Sequence, residues 1–205
     1  MPRLALASGN PHKVRELKVL LAPMGWDLVP LDSVSGYIAP EETGTTFSAN
    51  AVLKARALAN HLGIPALADD SGLEVDALGG APGVYSARYC GHHGDDLANN
   101  QKLLVALSQT PDEGRTARYR CAIAVALPMG ACTVVEGACE GRILRTFRGK
   151  GGFGYDPLFE LPDGSGRTMA EIGMEEKNNF SHRSRALEEV VPALRALLAA
   201  AADDQ

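Results

Sequence analysis

The stretch ALADDSGLEVDALGG, residues 66–80, opens with an apolar run that predicts a buried β-strand. Asp69 and Asp70 follow that run directly, and we expect the strand to end there and to present both carboxylates. The C-terminal ends of strands are where α/β proteins place ligand-binding groups. Because adjacent residues of an extended segment point to opposite faces, we expect one aspartate to face a site and the other to anchor the structure. The competing interpretation is a solvated acidic turn.

Hydrophobic patterns on either side of this stretch alternate between strands and helices. Apolar runs and alternating patterns predict strands over residues 3–7, 26–30, 64–68, 119–127, 132–139 and 141–147. Helical periodicity predicts a helix from Lys13, helices over 47–62 and 95–107, and a last helix with a kink or a break at Pro192. Thr45 or Thr46 can cap the second helix. This order predicts an α/β fold with a mixed central β-sheet flanked by helices, and no linker divides residues 1–205, so we expect a single domain.

The bulk composition excludes several classes of protein. The formal net charge is −5, from 20 basic and 25 acidic residues, which argues against sequence-independent nucleic-acid binding. No apolar run reaches the roughly 20 residues that span a bilayer, and we expect no secretory signal because the apolar stretch near residue 1 is short. The four cysteines form no pair or metal-binding spacing, so we expect reduced thiols in a cytoplasmic protein.

Acidic residues mark a candidate metal site. Glu41 and Glu42 form a second acidic pair just before a predicted helix, where they can also simply compensate the helix dipole. Together with Asp70 they offer carboxylate oxygens, the ligands that a hard cation such as Mg²⁺ prefers. The sequence therefore predicts that the two acidic pairs, Asp69–Asp70 and Glu41–Glu42, together can hold a hard cation such as Mg²⁺.

A candidate phosphate-binding loop follows the first strand. The strand, a Gly-containing loop and a helix come in succession, which aims loop amides and a helix N-terminus at one spot suited to an anion. Lys13 lies at the start of that helix and would meet the anion, although it can equally be a surface charge. The segment is not a Walker A motif.

Two later segments offer contacts for a nucleobase. In GGFGYD, residues 151–156, the rings of Phe153 and Tyr155 can stack on a planar base, although an ordinary hairpin loop has the same composition. In KNNFSHRS, residues 177–184, the cations His182 and Arg183 start a helix, where they are unfavourable for the helix dipole. Taken together, these features predict a Mg²⁺-dependent nucleotide enzyme.

Five blocks occur in this order along the chain: SGNPHKVRE, EETGTTFSANAVLKA, ADDSGLEVDALGGAPGVYSARY, GGFGYDPLF and EEKNNFSHRSRAL. In this order they resemble the inosine/xanthosine triphosphate pyrophosphatase family, over residues 4–198. The resemblance implies hydrolysis of dITP, ITP and XTP to the nucleoside monophosphate and pyrophosphate. It also implies Mg²⁺ dependence, a homodimer, and an elongated α/β fold with two lobes around a nucleotide-binding cleft.

The resemblance also implies roles for individual residues. Asp70 matches the family's proton acceptor and metal ligand, and either Glu41 or Glu42 matches its other metal ligand. The phosphate-binding loop corresponds to Ser8, Gly9, Asn10, Pro11, His12 and Lys13. The remaining substrate-binding positions correspond to Ser71, Phe153, Gly154, Tyr155, Asp156, Lys177, His182 and Arg183.

Specificity for these purines has a chemical basis. Hypoxanthine and xanthine carry an acceptor oxygen where adenine carries an amino donor, so hydrogen-bond donors from His182, Arg183 or backbone amides would accept the former and reject the latter. Two alternatives remain at the level of the sequence. One is a nucleotide pyrophosphatase for modified pyrimidines, and the other is a nucleotide-binding protein without turnover.

Overall fold

The computed structural model describes residues 2–203, with side chains up to residue 196. Met1, Asp204 and Gln205, which the predicted domain includes, lie outside the described residues. The helices and strands are, in chain order, β1 (Arg3–Leu6), α1 (Pro11–Leu21), β2 (Asp27–Pro30), α2 (Phe47–Leu62), β3 (Ala66–Val75), α3 (Asp96–Ala106), β4 (Thr116–Ala126), β5 (Cys132–Ile143), β6 (Phe159–Glu160), α4 (Met174–Asn178) and α5 (His182–Asp203).

The strands within residues 2–203 form one sheet in the order β2-β1-β3-β4-β5-β6. Strand β1 pairs in parallel with both β2 and β3, whereas β5 and β6 are antiparallel. The predicted mixed sheet flanked by helices is therefore confirmed. No helix within the described part of the chain combines the length and apolar character needed to cross a bilayer.

The chain divides into two compact units. Unit 1 contains the residues up to 70, residues 121–137 and the residues from 183 onward, and unit 2 contains residues 71–120 and 138–182. The chain passes from one unit to the other within β3, β4 and β5, and again at the start of α5. The single domain with two lobes stays a prediction.

The core of unit 1 joins the sheet to two helices. Leu4 and Leu67 contribute from β1 and β3, Leu17 from α1, and Val190 and Leu194 from α5. Leu17 and Leu21 of α1 are four residues apart, as are Val190 and Leu194 of α5. This helical spacing explains why hydrophobic periodicity predicted the helices correctly.

Unit 2 has a separate core with more aromatic residues. Leu73 and Val75 of β3 pack in one cluster with Leu103 of α3, Tyr119 of β4 and Phe159 of β6. The helix that contributes Leu103 begins after Asp95, whose side chain accepts a hydrogen bond from the amide of Ala98.

The prediction that a strand ends at the two aspartates is wrong. Strand β3 continues to Val75, so Asp69 and Asp70 lie in its middle. The continuation is stabilised by the burial of Leu73 and Val75 on both sides of Glu74. Gly72 permits the close approach of the segment that contains Ser86, since a Cβ at position 72 would lie 2.4 Å from Ser86 Oγ.

The predicted strand over residues 141–147 is also wrong. Residues 141–143 belong to the end of β5, and residues 144–147 are not in a strand. The buried guanidinium of Arg115 accounts for this, because it donates to the carbonyl oxygens of Ile143 and Leu144 over 2.7 and 3.0 Å. Helix α5, by contrast, continues through Pro192 without the possible break.

Candidate active site

The neighbouring carboxylates of Asp69 and Asp70 engage different partners, as expected for adjacent residues of a strand. Asp69 is bound by Lys13 and Arg183, whereas Asp70 is bound by Asn50 and Lys54. All of these residues belong to unit 1. The two aspartates therefore belong to two different polar networks.

The network around Asp69 is a buried cluster of charges. Asp69 Oδ2 lies 3.1 Å from Lys13 Nζ and 3.0 Å from Arg183 Nη2. The other terminal nitrogen of Arg183 donates to Glu16 of α1. Burial would raise the pKa of Asp69, but the charges of Lys13 and Arg183 outweigh it and hold that pKa far below its usual range. Asp69 is thus an ionised counter-charge that connects β3 to α1 and α5.

Asp70 is held at both oxygens. Asn50 Nδ2 donates to Oδ2 over 3.2 Å, and Lys54 Nζ donates to Oδ1 over 3.0 Å. Burial raises the pKa of the Asp70 carboxyl above its ordinary value, and the ammonium groups of Lys54 and Lys13 offset that rise only in part. A fixed carboxylate with a raised pKa is a better proton acceptor than an exposed aspartate.

Lys54 also binds Glu42, the second glutamate of the acidic pair. Lys54 Nζ lies 2.9 Å from Glu42 Oε1, so one ammonium group contacts the carboxylates of both Glu42 and Asp70. Burial lowers the pKa of Lys54, but nearby carboxylates, of which Asp70 contributes most, outweigh burial and raise it above its ordinary value. Glu41, the first glutamate of the pair, is exposed.

The loop that carries these glutamates is held against the start of α2. Thr46 caps the helix by accepting from the amide of Ala49, as one of the two predicted caps. The buried Asn50 accepts from the amide of Gly44 over 2.8 Å while it donates to Asp70. A side chain at position 44 would not fit, because a Cβ there would lie 2.6 Å from Asn50 Oδ1. Asn50 therefore orients both the loop and the side chain of Asp70.

The residues around Lys54 fit a Mg²⁺ ion. Carboxylate oxygens of Glu42 and Asp70 already converge on a single cationic group. No group of three or more histidine, cysteine, aspartate or glutamate side chains in the described residues is placed to hold a metal ion. Mg²⁺ is commonly held by only one or two carboxylates, with waters and substrate phosphates as its other ligands. Glu42 and Asp70 can supply the two carboxylates.

The predicted phosphate-binding loop forms the N-terminus of α1. Asn10 caps this helix, since its Oδ1 accepts from the amides of His12 and Lys13 over 2.9 and 3.3 Å. Pro11 begins the helix, and Ser8 Oγ accepts from the Asn10 amide over 3.4 Å. Gly9 is exposed, and a Cβ there would meet nothing within 4 Å. The strand, loop and helix are confirmed, and the binding of phosphate stays a prediction.

In unit 2, Asp156 is the centre of the predicted base-binding residues. Its Oδ1 accepts from the hydroxyl of Tyr119 over 2.9 Å, and its Oδ2 accepts from Lys177 Nζ over 2.9 Å and from the Phe153 amide over 3.0 Å. The ring of His182 stacks on Tyr119, with centroids 4.9 Å apart and an interplanar angle of 17°. Burial, followed by the Asp156 carboxylate, raises the pKa of Tyr119 well above its ordinary value, so Tyr119 remains a donor.

The two aromatic rings of the glycine-rich loop differ in environment. Tyr155 is buried in the core of unit 2, and its hydroxyl donates to the Ser86 carbonyl over 2.9 Å. Phe153 is only half-buried, and Lys177 Nζ lies 4.8 Å from the centre of its ring. Gly154 donates from its amide to Asp96 over 2.7 Å. Phe153 is therefore the more exposed of the two rings.

The structure thus sorts the predicted site residues into two groups. In unit 1 are Ser8, Gly9, Asn10, Pro11, His12, Lys13, Glu41, Glu42, Asp70 and Arg183. In unit 2 are Ser71, Phe153, Gly154, Tyr155, Asp156, Lys177 and His182. Their functional roles stay predictions. Sequence reasoning missed Glu16, Asn50, Lys54 and Tyr119. The one available signal was that Asn50 and Lys54 are four residues apart on a helix and share a face.

Comparison with known proteins decides the family. The model of the Ham1 family matches residues 4–193. The chain belongs to the Ham1 family. The five sequence blocks that predicted a pyrophosphatase family all lie within these matched residues. The Ham1 match includes residues of both units and every predicted site residue.

Relatives of this Ham1-family chain are similar over nearly its whole length. A dITP/XTP pyrophosphatase of Desulforamulus reducens is 53% identical over 195 residues, which is 95% of this chain and 96% of the relative. A dITP/XTP pyrophosphatase of Streptomyces avermitilis is 51% identical over 200 residues, which is 97% of this chain and 100% of the relative. The solved structure of a HAM1 protein from Coxiella burnetii has a TM-score of 0.86 at 43% identity and covers 96% of this chain and 100% of its own. The predicted family and α/β fold are both confirmed.

Proposed function

We propose that this Ham1-family chain hydrolyses the non-standard purine nucleoside triphosphates dITP, ITP and XTP to the nucleoside monophosphate and pyrophosphate. The names and full-length similarity of its relatives support this substrate class. The observation that carries the chemistry is the position of Asp70, a buried carboxylate held at both oxygens beside the carboxylate of Glu42. Hydrolysis needs such a group to accept a proton, whereas simple binding of an anion does not favour carboxylates near phosphate.

In the proposed reaction, Asp70 accepts a proton from a water molecule. The water oxygen forms a bond to the α-phosphorus, and the bond from that phosphorus to the bridging oxygen of the leaving pyrophosphate breaks. Asn50 restrains rotation of the Asp70 carboxylate, and such positioning is a large part of catalysis in phosphoryl-type transfer. General-base assistance of this kind typically contributes roughly 10²–10⁴-fold in rate.

We propose that Mg²⁺ is the cofactor and that Glu42 and Asp70, rather than Glu41, hold it. When bound, Mg²⁺ supplies positive charge to phosphate oxygens as pyrophosphate leaves. Lys13, whose ammonium already neutralises Asp69, adds a second cationic group at the start of α1. We assign Lys13 and the loop from Ser8 to the phosphate tail.

We assign nucleobase recognition to the group around Asp156. Phe153 is the ring that we expect to stack on the base, since Tyr155 is buried in the core. His182 and backbone amides would donate to the oxygen at purine position 6. Facing the adenine amino group instead would leave donors unpaired, at a cost of about 1–3 kcal/mol each. The terminal nitrogens of Arg183 are held by carboxylates, so we propose that Arg183 supports the start of α5 beside His182.

We also propose that the protein is a homodimer and acts in the cytoplasm, as the family resemblance implied. The apolar side chains of Tyr85 and Leu97, 59% and 60% exposed, lie after Gly79 where we expect the dimer surface. Size-exclusion chromatography with light scattering measures the mass directly. A monomer at micromolar concentration contradicts the proposed dimer and does not bear on the proposed activity.

The experiment that tests the function is a substrate panel. Pyrophosphate release is measured from ITP, XTP, GTP, ATP and dUTP, each with and without Mg²⁺, for the wild type and for Asp70→Asn. We expect rapid Mg²⁺-dependent release from ITP and XTP, and little from GTP or ATP. A preference for dUTP supports the pyrimidine alternative, and the absence of release from every substrate supports a binding protein without turnover.

A further inference from the structure

Lys54 occupies the position of a cation at the pair of carboxylates to which we assign Mg²⁺. Its ammonium nitrogen lies 2.9 Å from Glu42 Oε1 and 3.0 Å from Asp70 Oδ1. The Lys54 side chain is only 15% exposed, so solvent screens these two contacts weakly. Lys54 belongs to α2, the same helix that supplies Asn50, and its backbone position is therefore fixed.

We propose that Lys54 is the built-in counter-ion of Glu42 and Asp70 and that it keeps Mg²⁺ from binding to the nucleotide-free protein. The inference rests on the proposed Mg²⁺ site. With Lys54 in place, the two carboxylates and one ammonium carry a net charge of −1. A Mg²⁺ ion added to this group makes the local charge +1, and the ion has to compete with the ammonium for the same two oxygens.

A bound nucleoside triphosphate offsets the excess positive charge that Mg²⁺ and Lys54 would otherwise create together. Its phosphates bring several negative charges, which neutralise both Mg²⁺ and the ammonium of Lys54. Asn50 keeps hold of Asp70 Oδ2, so the carboxylate retains its orientation when Lys54 releases Oδ1. The counter-ion thus makes the binding of Mg²⁺ depend on the nucleotide. When no substrate is present, Lys54 compensates part of the negative charge of the two carboxylates.

A purely structural salt bridge predicts something different. If Lys54 only stabilised the fold, its removal would lower stability equally with and without Mg²⁺, because a buried pair that loses one partner leaves an uncompensated charge. If Lys54 is a counter-ion, its removal takes one positive charge away from the carboxylates of Glu42 and Asp70, and Mg²⁺ then compensates that loss. The two roles differ in how strongly Mg²⁺ binds to, and stabilises, the nucleotide-free variant.

The test compares Lys54→Met with the wild type and with Lys18→Met, a matched loss of one positive charge at an exposed position of α1. Binding of MgCl₂ to the nucleotide-free proteins is measured by calorimetry, and thermal unfolding is followed over a series of Mg²⁺ concentrations. We expect Lys54→Met to bind Mg²⁺ at least tenfold more tightly than the wild type. Lys18→Met and the charge-conserving Lys54→Arg are expected to bind it as weakly as the wild type.

An unchanged Mg²⁺ affinity in Lys54→Met overturns the proposal, as does an equal gain in Lys18→Met. If Lys54→Met is unfolded without metal, recovery of a cooperative thermal transition on adding Mg²⁺ supports the proposal, and no recovery overturns it. Adding Glu42→Gln to Lys54→Met is expected to abolish the gain. The proposed function is judged separately, by pyrophosphate release from the wild type. If the wild type hydrolyses ITP but Lys54→Met binds Mg²⁺ no more tightly, only the counter-ion role is overturned.

Discussion

Arg183 and Asp69 form a buried ion pair in which the guanidinium Nη2 donates to the carboxylate Oδ2 over 3.0 Å. The two side chains are 1% and 0% exposed, and Glu16 holds the other terminal nitrogen of Arg183. The pair connects the first turn of α5 to the middle of β3, 114 residues earlier in the chain. The start of α5 is thereby fixed by charges that lie inside unit 1.

Arg183→Met is expected to lower the free energy of unfolding by about 3–5 kcal/mol, because it removes the buried guanidinium that binds both Asp69 and Glu16. Chemical denaturation of the variant and the wild type measures this loss. The exposed neighbour Arg185 provides the control, and Arg185→Met is expected to change stability by at most about 0.5 kcal/mol. Equal losses in both variants would show that the buried ion pair contributes no more to the free energy of unfolding than the exposed Arg185 does.

Asp70→Asn is expected to keep the fold and lose roughly 10²–10⁴-fold in turnover of ITP, because the amide cannot accept the proton of the attacking water. The amide oxygen still accepts from Lys54, which keeps the side chain in place. The rate is measured as pyrophosphate release at saturating Mg²⁺, and circular dichroism checks the fold. Turnover at the wild-type rate contradicts the assignment of Asp70 as the base.

Tyr119→Phe is expected to raise KM for XTP several-fold and to lower stability by about 1–3 kcal/mol, because Asp156 Oδ1 loses its buried donor. The ring that stacks on His182 is kept, so the effect isolates the hydroxyl group. Steady-state kinetics and thermal unfolding measure the two effects. Tyr85→Phe, at an exposed tyrosine, serves as the control, and a matching rise in its KM would remove Tyr119 from base recognition.

Gly152→Ala and Gly154→Ala separate backbone strain from displacement of Asp156. Both glycines have positive φ, +72° and +61°, so each alanine costs about 1–2 kcal/mol for the left-handed conformation. A Cβ at position 152 also lies 2.1 Å from Asp156 Oδ2, whereas a Cβ at position 154 meets nothing within 4 Å. We expect the larger loss of thermal stability and of XTP affinity in Gly152→Ala. Equal losses in the two variants contradict a role for Asp156 in binding the base.

Cys121 is expected to resist alkylation at pH 9 in the folded protein. Burial raises the pKa of its thiol to about 12. The thiol form therefore contributes stability that is fully present below the unfolded-state pKa of about 8.5 and is lost as the pH rises towards 12. Mass spectrometry after iodoacetamide treatment measures the labelling, and the half-buried Cys132 is expected to react first. Labelling of Cys121 as fast as in urea would contradict this burial.

Local patterns in the sequence predicted much of the fold. Helix α2 and its Thr46 cap follow from apolar spacing and from a hydroxyl group that can accept from the first turn, both of which act within a few residues. Strands β1 and β2 and the apolar start of β3 were recognisable for the same reason. The length of β3 was not, because its continuation depends on core partners from other elements, such as Leu103 of α3.

The amino-acid sequence was sufficient to establish the family, the α/β class and the residues worth testing, since these depend on residue type, spacing and order. It left open whether Glu41 or Glu42 acts with Asp70, and the spacing of Asn50 and Lys54 on one helix did not show that Lys54 contacts these carboxylates. That pairing, like the contacts of Asp69 with Arg183 and of Tyr119 with Asp156, links residues far apart in the chain. Buried charges and hydrogen bonds are paired by proximity in space, and the folding of the whole chain creates that proximity.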